Sequence, residues 1–226
     1  MGYNFRRRYL EDSSLYRPRK DHSIMRLKWR DIAETIVLTI VIFLLVRASA
    51  ENFRVEGRSM EPTLTNGQFI LINKIGYWRI DRDILNTVIP GGEEPSAAGD
   101  IIYLFAPPQR GDVIVFQYPR DPDKAYIKRI IGIPGDTVEV VDGRVILNGS
   151  PLEEDYLFDE PRYESPRREV PTGFFYVLGD NRNNSSDSHV WGLVPESFVV
   201  GRAWLSWWPL ENLGFVPATA LGVASP

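Results

Sequence analysis

From Thr35 to Val46 the chain runs TIVLTIVIFLLV, a stretch without a single charge in which two threonines are the only polar side chains. It reads as lipid-facing. Extended from Ile32 to Ala50, the segment reaches roughly 28 Å at about 1.5 Å per residue, close to the hydrocarbon thickness of a bilayer. Residues 1–30 carry nine Lys/Arg against three Asp/Glu, a net +6 in a chain whose total is −4, so residues 31–226 carry −10. The positive-inside bias then predicts a cytoplasmic basic arm (1–30), a transmembrane anchor (31–50) and an extracytoplasmic domain (51–226). Two other readings compete. Ile36 to Val46 followed by Ala48-Ser49-Ala50 fits a cleaved signal peptide, although the arm is long for one and Arg47 interrupts the approach to the cut. A buried soluble helix is the third.

What the rest can do is narrowed by what it lacks. With no cysteine and only His22 and His189, thiol nucleophiles, disulfide frameworks, thiolate metal sites and histidine-rich zinc centres are excluded. Chemistry must come from Ser, Thr, Lys, Arg, Asp or Glu. A hydrophobic content of 43% suffices for a packed core.

Beyond residue 50, short β-branched runs bounded by Gly, Pro, Asn and Asp predict a mostly β domain. Expected strands are 69–73, 100–105, 112–118, 125–133, 137–141, 144–147, 174–178 and 199–204. Asp142-Gly143 is a two-residue hairpin signal, since a type I′ turn needs two positive φ angles. Two stretches read as surface insertions by composition: 84–99, and the charge- and proline-rich 153–171.

Ser59, in Gly57-Arg58-Ser59-Met60-Glu61-Pro62, places a hydroxyl in a turn, and a turn serine is by itself weak evidence for a nucleophile. Its base is either His189, beside Asp187, or a lysine. In Tyr126-Ile127-Lys128-Arg129-Ile130-Ile131, strand alternation sets Tyr126, Lys128 and Ile130 on one face and Ile127, Arg129 and Ile131 on the other, so one face must bury a cation stem. If that face is Lys128's, desolvation favours the neutral amine that could take the Ser59 proton; otherwise Lys128 snorkels along the sheet. Gly179 to His189 contains no apolar side chain. It is either a solvated turn or a set of donors and acceptors that orients another polar group, and the alternating acids of a calcium loop are missing.

In order and spacing these segments resemble the bacterial type I signal peptidases. The motifs are Ser59 to Leu64, Arg110 to Phe116, Tyr126 to Asp136, and Gly179-Asp180-Asn181-Arg182 through Trp191-Gly192. The resemblance implies an antiparallel β catalytic domain of the kind shared with SOS-response repressors, with a small cap inserted at about 137–173. It implies a membrane-anchored endopeptidase that removes signal peptides from exported preproteins after small-x-small sites, with neither metal nor organic cofactor and no nucleic-acid partner. Ser59 would be the nucleophile and Lys128 the general base. Ser185 would aim the amine, and Asp187 would pair with Arg129. Phe53, Val55, Met60, Leu64, Tyr126 and Ile127 would line the substrate pockets. Where enterobacterial members carry an oxyanion-hole serine this chain has Gly57, so the backbone N–H of Ser59, with that of Gly57 as a second candidate, would serve. Asn183 stands where some members have Asp, and His189 where some have Arg. The implied location is the inner (plasma) membrane, N-terminus in the cytoplasm, with a thylakoid membrane as the alternative. Trp204, Trp207, Trp208 and Phe215 would rest at the lipid interface or cover the edge of the core. A self-cleaving repressor and an inactive tethered peptide-binding β domain are the competing functions.

Overall fold

The computed structural model describes residues 29–81, 101–219 and 221. The basic arm up to residue 28, with His22, and the expected insertion at 84–99 lie outside the described residues. The chain divides into two compact units at Phe43/Leu44.

The apolar run lies in helix α1 (Trp29–Ser49), with Asp31 in its first turn and Arg47 in its last, each at the end of the macrodipole that favours its sign. Thr35 Oγ1 donates to Asp31 O at 2.8 Å and Thr39 Oγ1 to Thr35 O at 2.7 Å, so both threonines satisfy their hydroxyls within the helix. The large apolar side chains from Ile36 to Val46 are all exposed. Among the described residues no helix is long and apolar enough to cross a membrane. The uncharged run alone measures only about 18 Å, and any window approaching the roughly 30 Å of a hydrocarbon core takes in Glu34 or Arg47.

The strands follow as β1 (Ala50–Arg54), β2 (Phe69–Asn73), β3 (Arg79–Asp81), β4 (Ile101–Tyr103), β5 (Val113–Tyr118), β6 (Asp121–Gly132), β7 (Thr137–Val141), β8 (Arg144–Leu147), β9 (Ser150–Pro151), β10 (Ser165–Glu169) and β11 (Phe174–Leu178). One turn of helix, α2 (Ser188–Trp191), leads to β12 (Val194–Pro195), β13 (Val199–Trp208) and β14 (Gly214–Phe215). Among the described residues every pairing is antiparallel. The main sheet runs β1-β2-β13-β5-β6-β11-β12, with β14 against β13, and β10-β7-β8-β9 form a separate sheet of four. β2, β7, β8 and β11 occupy the residues their alternation predicts. Asp142 and Gly143 take φ of 50° and 75° between β7 and β8, as the turn chemistry requires.

Alternation along β5 and β6 sorts the core. Val113, Val115 and Ile127 pack on one face with Ile70, Ile72, Met60 and Leu64. Ile114, Phe116 and Ile130 pack on the other with Val177 and Trp191, and Tyr126 borders them. Val138, Val140, Val145 and Leu147 of the four-stranded sheet bury against Ile131, Tyr176 and Leu178. The 153–171 stretch keeps most of its residues at the surface, as its composition predicts, but it is more than a loop. It contains β10, and the side chains of Glu154 and Tyr156 turn inward because a buried arginine, Arg182, needs an anion.

Candidate active site

β6 is held between β5 and β11, and Lys128 sits opposite Ile114 with 4% of its surface exposed. Both faces of this strand bury a cation, because Arg129 is also fully enclosed. Lys128 Nζ lies 2.7 Å from Ser59 Oγ and donates to Ile127 O at 2.8 Å. Burial lowers the Lys128 pKa to about 8, against the opposing pull of the Asp187 and Asp180 carboxylates. A buried amine that is readily neutral therefore touches a half-buried hydroxyl.

The turn carrying Ser59 is fastened by backbone. Leu64 N–H donates to Met60 O at 2.9 Å, and Met60 and Leu64 anchor the turn in the core. Asn181 fixes the other side: its N–H donates to Ser59 O at 3.0 Å and its Nδ2 to Arg58 O at 3.1 Å. Gly179 passes so close that a Cβ there would collide with Ser59 O and Ser185 Oγ. The polar loop thus orients another group, the second of the two readings its sequence left open.

Several expected partners are different in the structure. Arg129 pairs with Asp180, donating from Nε at 2.9 Å and Nη2 at 2.7 Å, not with Asp187. Leu178 faces Arg129 across the β11–β6 ladder, which brings Asp180, two residues on, under the guanidinium. Asp187 instead accepts from Gly179 N–H at 2.9 Å, caps α2 and meets His189 Nδ1 at 2.6 Å. His189 stacks on Tyr163 and makes no hydrogen bond to Ser59, so the histidine route has no geometry. Among the described residues the buried Ser185 Oγ has no hydrogen-bond partner, the lysine amine included. Of the two expected oxyanion donors, Gly57 N–H is already taken by Asn66 Oδ1 at 3.0 Å.

The expected pocket residues are divided by the pleat. Val55, Met60, Leu64 and Ile127 are core, with Phe53 packed at its margin. Tyr126 lies on the opposite face, its ring 5.6 Å from Lys128 Nζ and stacked on Tyr118. Four further residues escaped the sequence reading: Asp180, Asn181 and Arg182, which received no role, and Glu154, placed in a surface loop. A buried arginine calls for an acid, but nothing in the spacing says which.

A mostly antiparallel β fold presents a serine hydroxyl to a buried amine, the equipment of a serine hydrolase rather than of a metal or thiol enzyme. The family follows from sequence comparison, since residues 29–208 match the family "Signal peptidase, peptidase S26". The chain is 39% identical to a signal peptidase I of Leptolyngbya laminosa, over 80% of either chain. It is 37% identical to a probable signal peptidase I-1 of Synechocystis, over 85% of this chain and 94% of that one. It is also 33% identical to thylakoidal processing peptidase 1 of Arabidopsis thaliana, over 78% of this chain and 48% of the relative. The chain belongs to the signal peptidase family, peptidase S26.

Proposed function

We propose that this protein cleaves signal peptides from exported preproteins after small-x-small sites, with Ser59 as nucleophile and Lys128 as general base. The observation that carries this reading is the 2.7 Å contact between Ser59 Oγ and a lysine amine that burial brings to a pKa of about 8. Neutral Lys128 takes the Ser59 proton as Oγ attacks the scissile carbonyl, and the ammonium formed returns it to the leaving amine. Water then hydrolyses the acyl-enzyme by the same base. The Ser59 N–H stabilises the oxyanion, and no step calls on a metal or organic cofactor.

The sign of the pH dependence follows. The base works as the free amine, present as about one tenth of the enzyme at pH 7 and half near pH 8. Cleavage of a preprotein with an Ala-x-Ala site by detergent-solubilised enzyme is expected to rise about tenfold from pH 6 to 7 and about fivefold from pH 7 to 8, and to level off above pH 9. A flat profile between pH 6 and 9, or full activity in Ser59→Ala, would remove the mechanism.

We infer further that α1 attaches the enzyme to a bilayer. Supporting this are its exposed apolar side chains and its internally bonded threonines. Trp204, Trp207, Trp208 and Phe215 are also exposed, which favours a lipid contact over a lid on the core. The apolar part of the helix is too short to cross by itself, so a span would use the full length of about 31 Å, with Glu34 and Arg47 reaching the headgroups along their own stems. The basic arm then stays in the cytoplasm and 51–226 lie outside, with 137–173 as a cap. Protease added to spheroplasts should digest the β domain and spare an N-terminal tag; digestion of both, or of neither, contradicts this topology.

A further inference from the structure

Glu154 lies between β9 and β10, in sequence far from Ser59 and Lys128, yet its carboxylate is the sole anion bonded to Arg182 among the described residues. Arg182 has no exposed side-chain surface, and its bonds are all internal. Nη1 and Nη2 grip the two oxygens of Glu154 at 2.7 and 2.5 Å, Nε donates to Gly179 O at 3.1 Å, and Nη2 also reaches Tyr156 OH at 3.2 Å. The residues immediately around Arg182 hold the nucleophile: Asn181 through Ser59 O and Arg58 O, Gly179 through direct packing on Ser59 O. The loop cannot shift without carrying Ser59 with it. A second route reinforces the first, because the Tyr156 ring lies 4.3 Å from the Arg129 guanidinium, which holds Asp180 of the same loop.

Lys128 is placed by the sheet; Ser59 is placed in part by the 179–182 loop. We propose that Glu154 is a positioning residue for the reaction, setting the Oγ–Nζ separation through Arg182 and Asn181. This rests on the Ser59–Lys128 reading above. It assigns work to the segment between β9 and β10 that is distinct from substrate contact. A displaced nucleophile slows acylation steeply while leaving substrate binding untouched, since proximity in such steps is worth orders of magnitude per ångström.

The test is a cycle of Glu154→Gln, Asn181→Ala and the double variant in the full-length enzyme, with Ser59→Ala alongside. Glu154→Gln keeps size and one acceptor oxygen but leaves the Arg182 charge without its counterion. The expected result is a fall in kcat of about tenfold with KM within about twofold. The double variant should lose no more than about twofold beyond Asn181→Ala, because both changes cut one chain of contacts. Multiplicative losses, or a raised KM with kcat unchanged, overturn the proposal. If Glu154→Gln does not fold, judged by circular dichroism and melting, Tyr156→Phe replaces it: the ring over Arg129 stays, and the hydroxyl on Arg182 goes. It should show the same non-additivity at about threefold, and multiplicative loss with Asn181→Ala again overturns the idea. Activity retained in Ser59→Ala removes the dyad itself, whereas an inert Ser59→Ala with multiplicative cycles removes only the role of Glu154.

Discussion

Lys128→Met is expected to lower kcat on a preprotein by about 10³-fold or more, the scale on which removing a positioned base acts, without lowering the melting temperature at pH 7. The two halves of that expectation have one cause. In the folded chain the amine sits with 4% exposure and a pKa of about 8, below the 10.5 of a free lysine. Between those values the unfolded chain binds a proton that the folded chain does not, so stability rises with pH from about 8 to 10.5 and carries a penalty below that window. Met fills the same volume with no charge to desolvate. Chemical melts of both proteins at pH 7 and pH 10 should show the wild type gaining stability with pH and Lys128→Met losing that gain. A variant that is inactive and also strongly destabilised at pH 7 would mean that the amine is a structural donor rather than a strained base.

The second large effect belongs to Asp180. Arg129 and Asp180 are both fully buried, joined by two hydrogen bonds, and the guanidinium also donates to Gly111 O at 2.8 Å and Pro217 O at 3.1 Å. Asp180→Ala leaves the cation without its carboxylate in the interior, a loss of about 3–5 kcal/mol by analogy with broken buried pairs. Urea denaturation should register it as a lower midpoint. Asp187→Ala removes a cap and the contact to His189, and should cost about 1–2 kcal/mol. Equal losses from the two, or the larger from Asp187, would contradict the pairing.

These two carboxylates show where sequence reasoning stops. Local rules worked where the determining interactions are local: the pleat fixed the faces of Lys128 and Arg129, and Asp142-Gly143 announced its hairpin. The family resemblance joined Ser59 to Lys128, and the fold brings them into contact. Choosing between Asp180 and Asp187 required the register of β11 on β6, a long-range fact that no spacing encodes. The same is true of Glu154: acids crowd the 153–171 stretch, and only the fold shows which one meets a buried arginine. The expected pocket residues are read less far, because an inward-facing strand position looks alike from sequence whether it lines a pocket or a core. Ser185 was expected on the amine, but its hydroxyl makes no bond there.

The Ser59 turn is held by main-chain atoms, through Ser59 O, Arg58 O and Met60 O. None of these fastenings depends on what side chain occupies position 59, so the position works as a socket. The natural chain has no cysteine. Ser59→Cys would therefore be the only thiol in this sequence, set in the same place beside the same amine, and a fluorescent or crosslinking reagent directed at sulfur would report on that one site in the purified enzyme.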